Sequence, residues 1–422
     1  MREMKDSENS FIGTIPQSWK VIPLKYVVKC NIDTLSESTP QEYEFDYIDI
    51  GSVTYGKEIE QYQRMCFKDA PSRARRIAHK DDVIISTVRT YLKAVASIPY
   101  NEYPIIVSTG FAVLKAGENV YAKYLKYLIQ SDSFVSEIES KSYGVNYPAI
   151  TATETIRTHI VLPNIDEQRR IADYLDAKCT EIDTLSADIQ SEIDTILAYK
   201  QSAITEAVTK GLDKNAQMKD SGTDWLGNIP KHWDISRIGS VYNLRNTKVS
   251  DKDYEPLSVT MKGVVQQLDT AAKTNAHDDR KLVRKGDFVI NSRSDRRGSC
   301  GISPLDGSVS LINTVLAPIG EMNPEYYNWL FHTVAFSDEF YKWGHGIVDD
   351  LWTTGWQEMK KILIPFPSLD EQKTIAEYLN NRCSQIDNVL QVKQEQLEVL
   401  TEYKKSLIYE YVTGKKEVCN VC

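Results

Sequence analysis

A chain of 422 residues with 50 Lys+Arg against 59 Asp+Glu, a net charge of -9, is too long for one ordinary domain of roughly 100–200 residues. Its 41% hydrophobic and 26% charged composition excludes a wholly disordered chain, and a pI near 5.4 argues against nucleic-acid binding, which ordinarily shows as excess positive charge. No stretch reaches the roughly 18 apolar residues of a membrane span, the start MREMKDSENS lacks a signal peptide's regions, and 7 scattered cysteines form no disulfide framework, so a cytoplasmic protein is expected.

In chain order, residues 4–19 read MKDSENSFIGTIPQSW, a polar opening that closes on Ile-Pro-x-x-Trp. Runs rich in β-branched residues at 21–30, 83–87 and 105–109 predict strands. Across the second of these lies a basic stretch, with Arg64, Lys68, Arg73, Arg75, Arg76, Lys80, Arg89 and Lys93 against Asp69, Asp81 and Asp82. Residues 121–141 carry apolar side chains at helical spacing and predict one amphipathic helix. After Pro163, residues 166–208 predict a single long helix. Leu175, Ile182, Ile189 and Ile196 recur at heptad steps, with a second track through Ile171, Leu185 and Tyr199 that Lys178 and Glu192 interrupt. A sustained heptad stripe makes a coiled-coil seam, and Gly211 supplies the stop.

The same order then starts again. MKDSGTDWLGNIPKHW at 218–233 repeats the opening, and DEQKTIAEYLNNRCSQID from Asp370 repeats DEQRRIADYLDAKCTEID from Asp166. The second long helix carries Leu379, Ile386, Leu400 and Leu407 in one track, Ile375, Val389 and Tyr403 in the other, Lys393 at a seam position, and Gly414 at its end. Residues 324–343 stand opposite 121–141. The middles are only faintly alike: DDVIISTVR (81–89) faces GDFVINSRS (286–294), and YGVNYPAI (143–150) faces HGIVDDLW (345–352). A common frame with separately diverged middles suits two modules that read different ligands. The fold expected is α+β: two globular domains joined by two long helices that form an antiparallel coiled coil, with an internal pseudo-two-fold repeat, because an isologous pair of like helices must run antiparallel. The divisions are 1–163 and 214–367 for the globular domains, 164–213 for the first helix, and 368–422 for the second helix and tail.

No catalytic signature accompanies this frame. There is no GxxxxGK[ST] phosphate loop, no NPPY-type methyltransferase string and no HExxH. Cys419 and Cys422 form one CxxC, short of the four ligands zinc takes. Neither a catalytic nor a metal-ligating residue is assigned. Local charge, however, answers the acidic total. Arg280, Lys281, Arg284, Lys285, Arg293, Arg296 and Arg297 form a second basic run at the place of the first, while the first long helix is rich in Asp and Glu. Arginine in such runs neutralises phosphates or binds guanine through paired hydrogen bonds. The candidate DNA contacts are Arg73, Arg75, Arg76, Arg89, Tyr91, Lys93, Tyr143, Asn146 and Tyr147 in the first domain. In the second they are Arg280, Lys281, Arg293, Arg296, Arg297, His345, Asp349 and Trp352. A packing role stays open for each.

The tandem MKDS…IGTIPQSW and MKDS…LGNIPKHW, with LPNIDEQRRIADYLDAKCTEID and FPSLDEQKTIAEYLNNRCSQID each leading into a heptad helix, resemble over the whole chain the specificity subunit of type I restriction-modification enzymes. One departure is Asn164-Ile165, where that family often has a second proline. The resemblance implies two target recognition domains, each reading half of a bipartite, asymmetric site in double-stranded DNA. It implies helices that set the unread gap and dock two modification subunits. It also implies a non-catalytic chain in the bacterial cytoplasm, with S-adenosylmethionine, ATP and Mg held by partner modification and restriction subunits, and no membrane partner. Two other readings stand beside it: a coiled-coil adaptor without a DNA role, and a self-contained DNA methyltransferase or nuclease.

Overall fold

The computed structural model describes residues 2–59, 61–144, 147–268, 277–346 and 352–418. It divides into two units, Met1–Ile189 with Glu395–Cys422, and Gln190–Gln394. Each unit takes in part of both long helices, Ile165–Lys210 and Leu369–Val412.

The first unit opens with a hairpin of Met4–Asp6 and Thr14–Pro16. It delivers Trp19 into the core, where the indole N–H donates to Glu167 Oε2 at 3.1 Å. Burying an indole contributes roughly 4–6 kcal/mol. The strand expected over 21–30 is two strands, Lys20–Pro23 and Val28–Cys30, parted by a short turn at Leu24–Tyr26. The run serves two sheets: its first part pairs with His159–Leu162 and its second with Phe111–Ala116. A four-stranded antiparallel sheet follows the order Val28–Cys30, Phe111–Ala116, Val83–Ser86, Val95–Ser97. Its strands are apolar on both faces, since Val83 and Ile85 enter the core shared with the helices while Ile84 enters the core against a second sheet. That second sheet runs Gln63–Cys66, Glu44–Ile48, Ile105–Ser108, Ala74–Ala78, with one parallel pair at its centre. The helix expected over 121–141 is also two elements, Ala122–Gln130 and Asp132–Ser140. Ser131 is extended, and its hydroxyl caps the second helix by accepting from the Phe134 N–H.

Within the second sheet, buried Asp46 accepts two hydrogen bonds from Arg64 (2.9 and 3.0 Å) and one from Asn101 (2.8 Å). The Arg64 bonds outweigh burial and hold the Asp46 carboxyl below the usual carboxylate range. Stability from this group is present above its unfolded pKa of about 3.9 and is lost as pH falls through the lower folded value. Asp46→Asn should lower the melting temperature at pH 7, with the gap to wild type closing below about pH 4. Thermal unfolding across a pH series checks this, and an unchanged gap in acid would count against it.

The second unit repeats the frame. A hairpin of Met218–Asp220 and Asn228–Pro230 leads to Trp233, whose indole donates to Glu371 Oε1 at 3.1 Å. Asp234–Arg237 pairs with Leu363–Phe366. The sheet Tyr242–Leu244, Asn313–Pro318, Phe288–Asn291, Cys300–Ile302 matches its counterpart strand for strand. Helices Pro324–Phe331 and Val334–Lys342 break at Thr333, which caps Phe336 as Ser131 caps Phe134. The second sheets differ. Here it has three strands, Lys248–Val249, Arg280–Val283 and Gly307–Ser310, all antiparallel.

In the first unit Tyr174 lies against Tyr411 (ring centroids 4.6 Å), and Lys404 donates to Asp183 at 2.6 Å. In the second, Lys200 donates to Asp387 at 2.5 Å, and Glu192 pairs with Lys393. Numbers rise along one helix as they fall along the other, so the helix segments in each unit run antiparallel. The charged residues that interrupt the apolar stripes, Glu192 and Lys393, meet each other. Of the seam positions, Leu175, Ile182, Ile189, Leu379, Ile386 and Leu407 are buried, and Ile196 and Leu400 are half-buried. The second track needs correcting: Ile171 and Ile375 are buried, but Leu185, Tyr199, Val389 and Tyr403 are exposed. A helix with one partner covers a single narrow seam, and only the positions near the globular parts gain further cover. Both helices end on left-handed glycines, Gly211 at φ 74° and Gly414 at φ 72°, packed on Trp233 and Trp19 respectively.

Candidate nucleic-acid interface

In the first unit the strands Val83–Ser86 and Val95–Ser97 are joined by a turn, closed where the Ser86 N–H donates to the Ala94 carbonyl at 2.8 Å. Arg89 (φ 50°) and Lys93 (φ 51°) are both left-handed and flank a tight turn of helix at Thr90–Leu92. Thr90 is buried and donates to the Ser142 hydroxyl at 2.9 Å, while Tyr91 (52%) and Leu92 (42%) stand exposed. Residues 147–149 lie along this turn. Ala149 bridges both Val88 and Tyr143, and the Arg89 N–H donates to the Pro148 carbonyl at 2.7 Å. The Arg89 guanidinium sits 4.9 Å from the Tyr147 ring centroid. Tyr143 and Tyr147 are 83% and 66% exposed. The fold thus brings together Arg89, Tyr91, Tyr143 and Tyr147, with Lys93 alongside, its amine 3.9 Å from Asp132.

The second unit builds the same frame with other side chains. Between Phe288–Asn291 and Cys300–Ile302 the turn closes with the Asn291 N–H donating to the Ser299 carbonyl at 2.9 Å. Thr353 bridges both Arg293 and His345, and the Thr354 N–H donates to the Ser292 carbonyl just as that of Ile150 does to Thr87. These bridges align Ile150 with Thr354, so the second loop is longer, and the ungapped alignment of Ile150 with Trp352 is corrected. Arg296 and Arg297 are exposed at the tip, Arg296 3.7 Å from Asp295 and Arg297 paired with Asp338 at 2.9 Å. His345 is exposed, 4.0 Å from Glu358. Trp352 is half-buried, its indole N–H donating to the Tyr341 carbonyl at 2.8 Å. Asn146, Asp349, Cys419 and Cys422 lie outside the described residues.

The remaining candidates divide by exposure. Arg73 is exposed, donates to the Tyr47 hydroxyl at 3.3 Å and lies 3.5 Å from Asp49. Arg75 donates to the Ala74 carbonyl at 3.0 Å and covers the Phe67 ring at 5.0 Å. Three cations expected at DNA turn inward. Arg76 donates to Asn31 Oδ1 at 2.9 Å and to the Phe111 carbonyl. Arg280 donates to Ser308 Oγ at 2.8 Å and to its carbonyl at 3.0 Å, and Lys281 to the carbonyls of Leu311 and Asn313 at 2.9 and 2.7 Å. Burial lowers the pKa of all three. Their donors bind carbonyls and side chains of the fold. Leu92, which sequence reasoning passed over, shares the exposed tip with Tyr91. Its only trace in the sequence is an apolar residue set between Arg89 and Lys93.

Among the described residues no cluster of His, Cys, Asp and Glu is arranged to hold a metal ion, and no helix is long and apolar enough to cross a membrane. A family model described as the type I restriction modification DNA specificity domain matches residues 16–195 and 230–401. The type I restriction enzyme MjaVIII specificity subunit of Methanocaldococcus jannaschii is 23% identical over 316 residues, 71% of each chain. Among solved structures, a chain from work on complex assembly and conformational transition of the type I R-M system aligns with a TM-score of 0.73 at 21% identity, covering 95% of this chain and 99% of that one. The HsdS subunit from Thermoanaerobacter tengcongensis aligns with a TM-score of 0.52 at 22% identity, covering 95% and 98%. At these identities the structural likeness is one of fold.

Proposed function

The chain belongs to the type I restriction modification DNA specificity domain family, and from that premise we propose that each unit reads one half of a bipartite, asymmetric site in double-stranded DNA. The observation that carries the reading is the shared turn and its flanking loop, closed by the same hydrogen bonds but bearing different side chains. The first unit presents Arg89, Tyr91, Lys93, Tyr143 and Tyr147, and the second Arg293, Arg296, Arg297 and His345. Two different half-sites call for a constant frame with different tips, in which arginine takes phosphates or guanine and the other side chains meet base edges. The net charge of -9 is no obstacle when exposed cations gather at the tips.

Residues 1–163 and 214–367 act as the readers, and the helices within 164–213 and 368–422 as an antiparallel coiled coil. Matched residues exchange partners: Lys200 bonds Asp387 while Lys404 bonds Asp183, and Tyr124 donates to the Val412 carbonyl while Tyr326 donates to that of Val208. Exchange of this kind is what an isologous contact produces, and it supports a pseudo-two-fold repeat. The helices set the unread gap and dock two modification subunits, for which exposed Leu185, Tyr199, Val389 and Tyr403 offer apolar contact. The chain itself is not an enzyme. S-adenosylmethionine belongs to the modification subunits, and ATP with Mg to restriction subunits. Sequencing the methylated adenines of a host that carries this chain with its modification partner tests the reading. A single bipartite motif is the expected result, and methyl transfer by the purified chain alone would overturn it.

A further inference from the structure

The two turns have equal length, yet their tips are chemically opposite. The closing hydrogen bonds pair Ser86 with Asn291 and Ala94 with Ser299, which sets Tyr91, Leu92 and Lys93 against Arg296, Arg297 and Gly298. In the second unit the left-handed position of the tip is a glycine, Gly298 at φ 73°. In the first unit the same position is Lys93, and Arg89 is left-handed as well. Left-handed backbone is unfavourable for residues with a Cβ, and half-exposed Leu92 forfeits its burial. A turn that only joined two strands would shed both costs, as the second unit does. The first unit instead holds the strained form firmly, through buried Thr90 on Ser142, the Arg89 N–H on Pro148 and the Arg89 guanidinium over Tyr147.

We propose that the Tyr91–Leu92 tip is a wedge that enters the base stack of the first unit's half-site, unstacking one step and kinking the duplex there, while the second unit reads its half-site without insertion. The inference rests on the DNA-reading function proposed above. An apolar side chain on a braced turn replaces the stacking it disrupts, and Arg89 and Lys93 on either side take the flanking phosphates. Arg296 and Arg297 are charged, lose hydration inside a stack, and stay at the groove edge. Pyrimidine–purine steps unstack at least cost, so the wedge falls on TA or CA/TG.

The test uses the full chain assembled with its modification subunits on its mapped target. 2-Aminopurine replaces one purine at a time, leaving out the methylated adenines, which the methyltransferase itself must expose. Fluorescence is expected to rise several-fold at one step of the half-site that domain exchange assigns to the first unit, and at no step of the other half-site. The variant Tyr91→Ser with Leu92→Ser should lose that rise and bind about tenfold more weakly. Leu92→Met should keep both, which separates loss of the wedge from loss of the fold. A complex that methylates its site with no rise at any step, or a double variant that keeps the rise, overturns the wedge and leaves the reading function standing. Failure to methylate any bipartite site overturns the reading function and the wedge with it.

Discussion

Exchange of the first globular segment for that of another family member is expected to change one half of the methylated site and leave the other half as it was. The junctions decide whether the chimera folds. Cutting at 16 and 160 divides the pairing of Lys20–Pro23 with His159–Leu162, leaving Val161 and Leu162 to pair with a foreign strand. Extending the exchange to 163 moves both strands together. The donor must also keep the anchors that meet retained residues. Trp19 bonds Glu167, and Tyr124 and Leu128 share a core with Leu175 and Val412. Losing one large apolar contact there costs about 2–5 kcal/mol. Methylated-adenine sequencing reads the outcome, and a change in both halves, or in neither, would refute the assignment of one half-site to each unit.

Lengthening both long helices by one heptad is expected to widen the unread gap by about three base pairs, with both half-sites unchanged. Seven residues add about 10 Å to each helix, and duplex DNA advances about 34 Å per ten base pairs. A heptad keeps the seam in phase. The insertions must be matched, one after Ile189 and one after Gln394, so that each ion pair stays on one side of the break. The order Asp183 with Lys404, Glu192 with Lys393, Lys200 with Asp387 shows why. An insertion within 182–196 alone would carry Lys200 seven positions past Asp387 and unpair everything beyond it. An unchanged gap, or an altered half-site, would remove the helices from the role of spacer.

The repeated frame was legible because near-identical strings mark its ends and because a heptad stripe persists through each long helix. What escaped prediction has particular physical causes. Ser131 and Thr333 sit inside runs with helical apolar spacing, and only the local side-chain caps show that the helices break there. Arg76, Arg280 and Lys281 carry visible charge, but the carbonyls that accept their hydrogen bonds have no signature in sequence. The left-handed Arg89 and Lys93 are not marked by glycine, so the strain that sets the first tip apart became visible only in the backbone. The apolar second track of the long helices was legible as a pattern, but the pattern alone does not tell a covered stripe from an open one.

The division of the chain also fixes an order of synthesis. The second unit is the continuous stretch Gln190–Gln394, whereas the first needs Glu395–Cys422, whose Leu407, Ile408 and Val412 enter its core. The domain that leaves the ribosome first is therefore the last to close. Until then Tyr124 and Leu175 lack the cover of Leu407, Ile408 and Val412, and apolar surface left open in this way invites aggregation or a chaperone. A premature stop or a protease cut after Gln394 would strip the packing from the part of the protein encoded first and spare the part encoded after it.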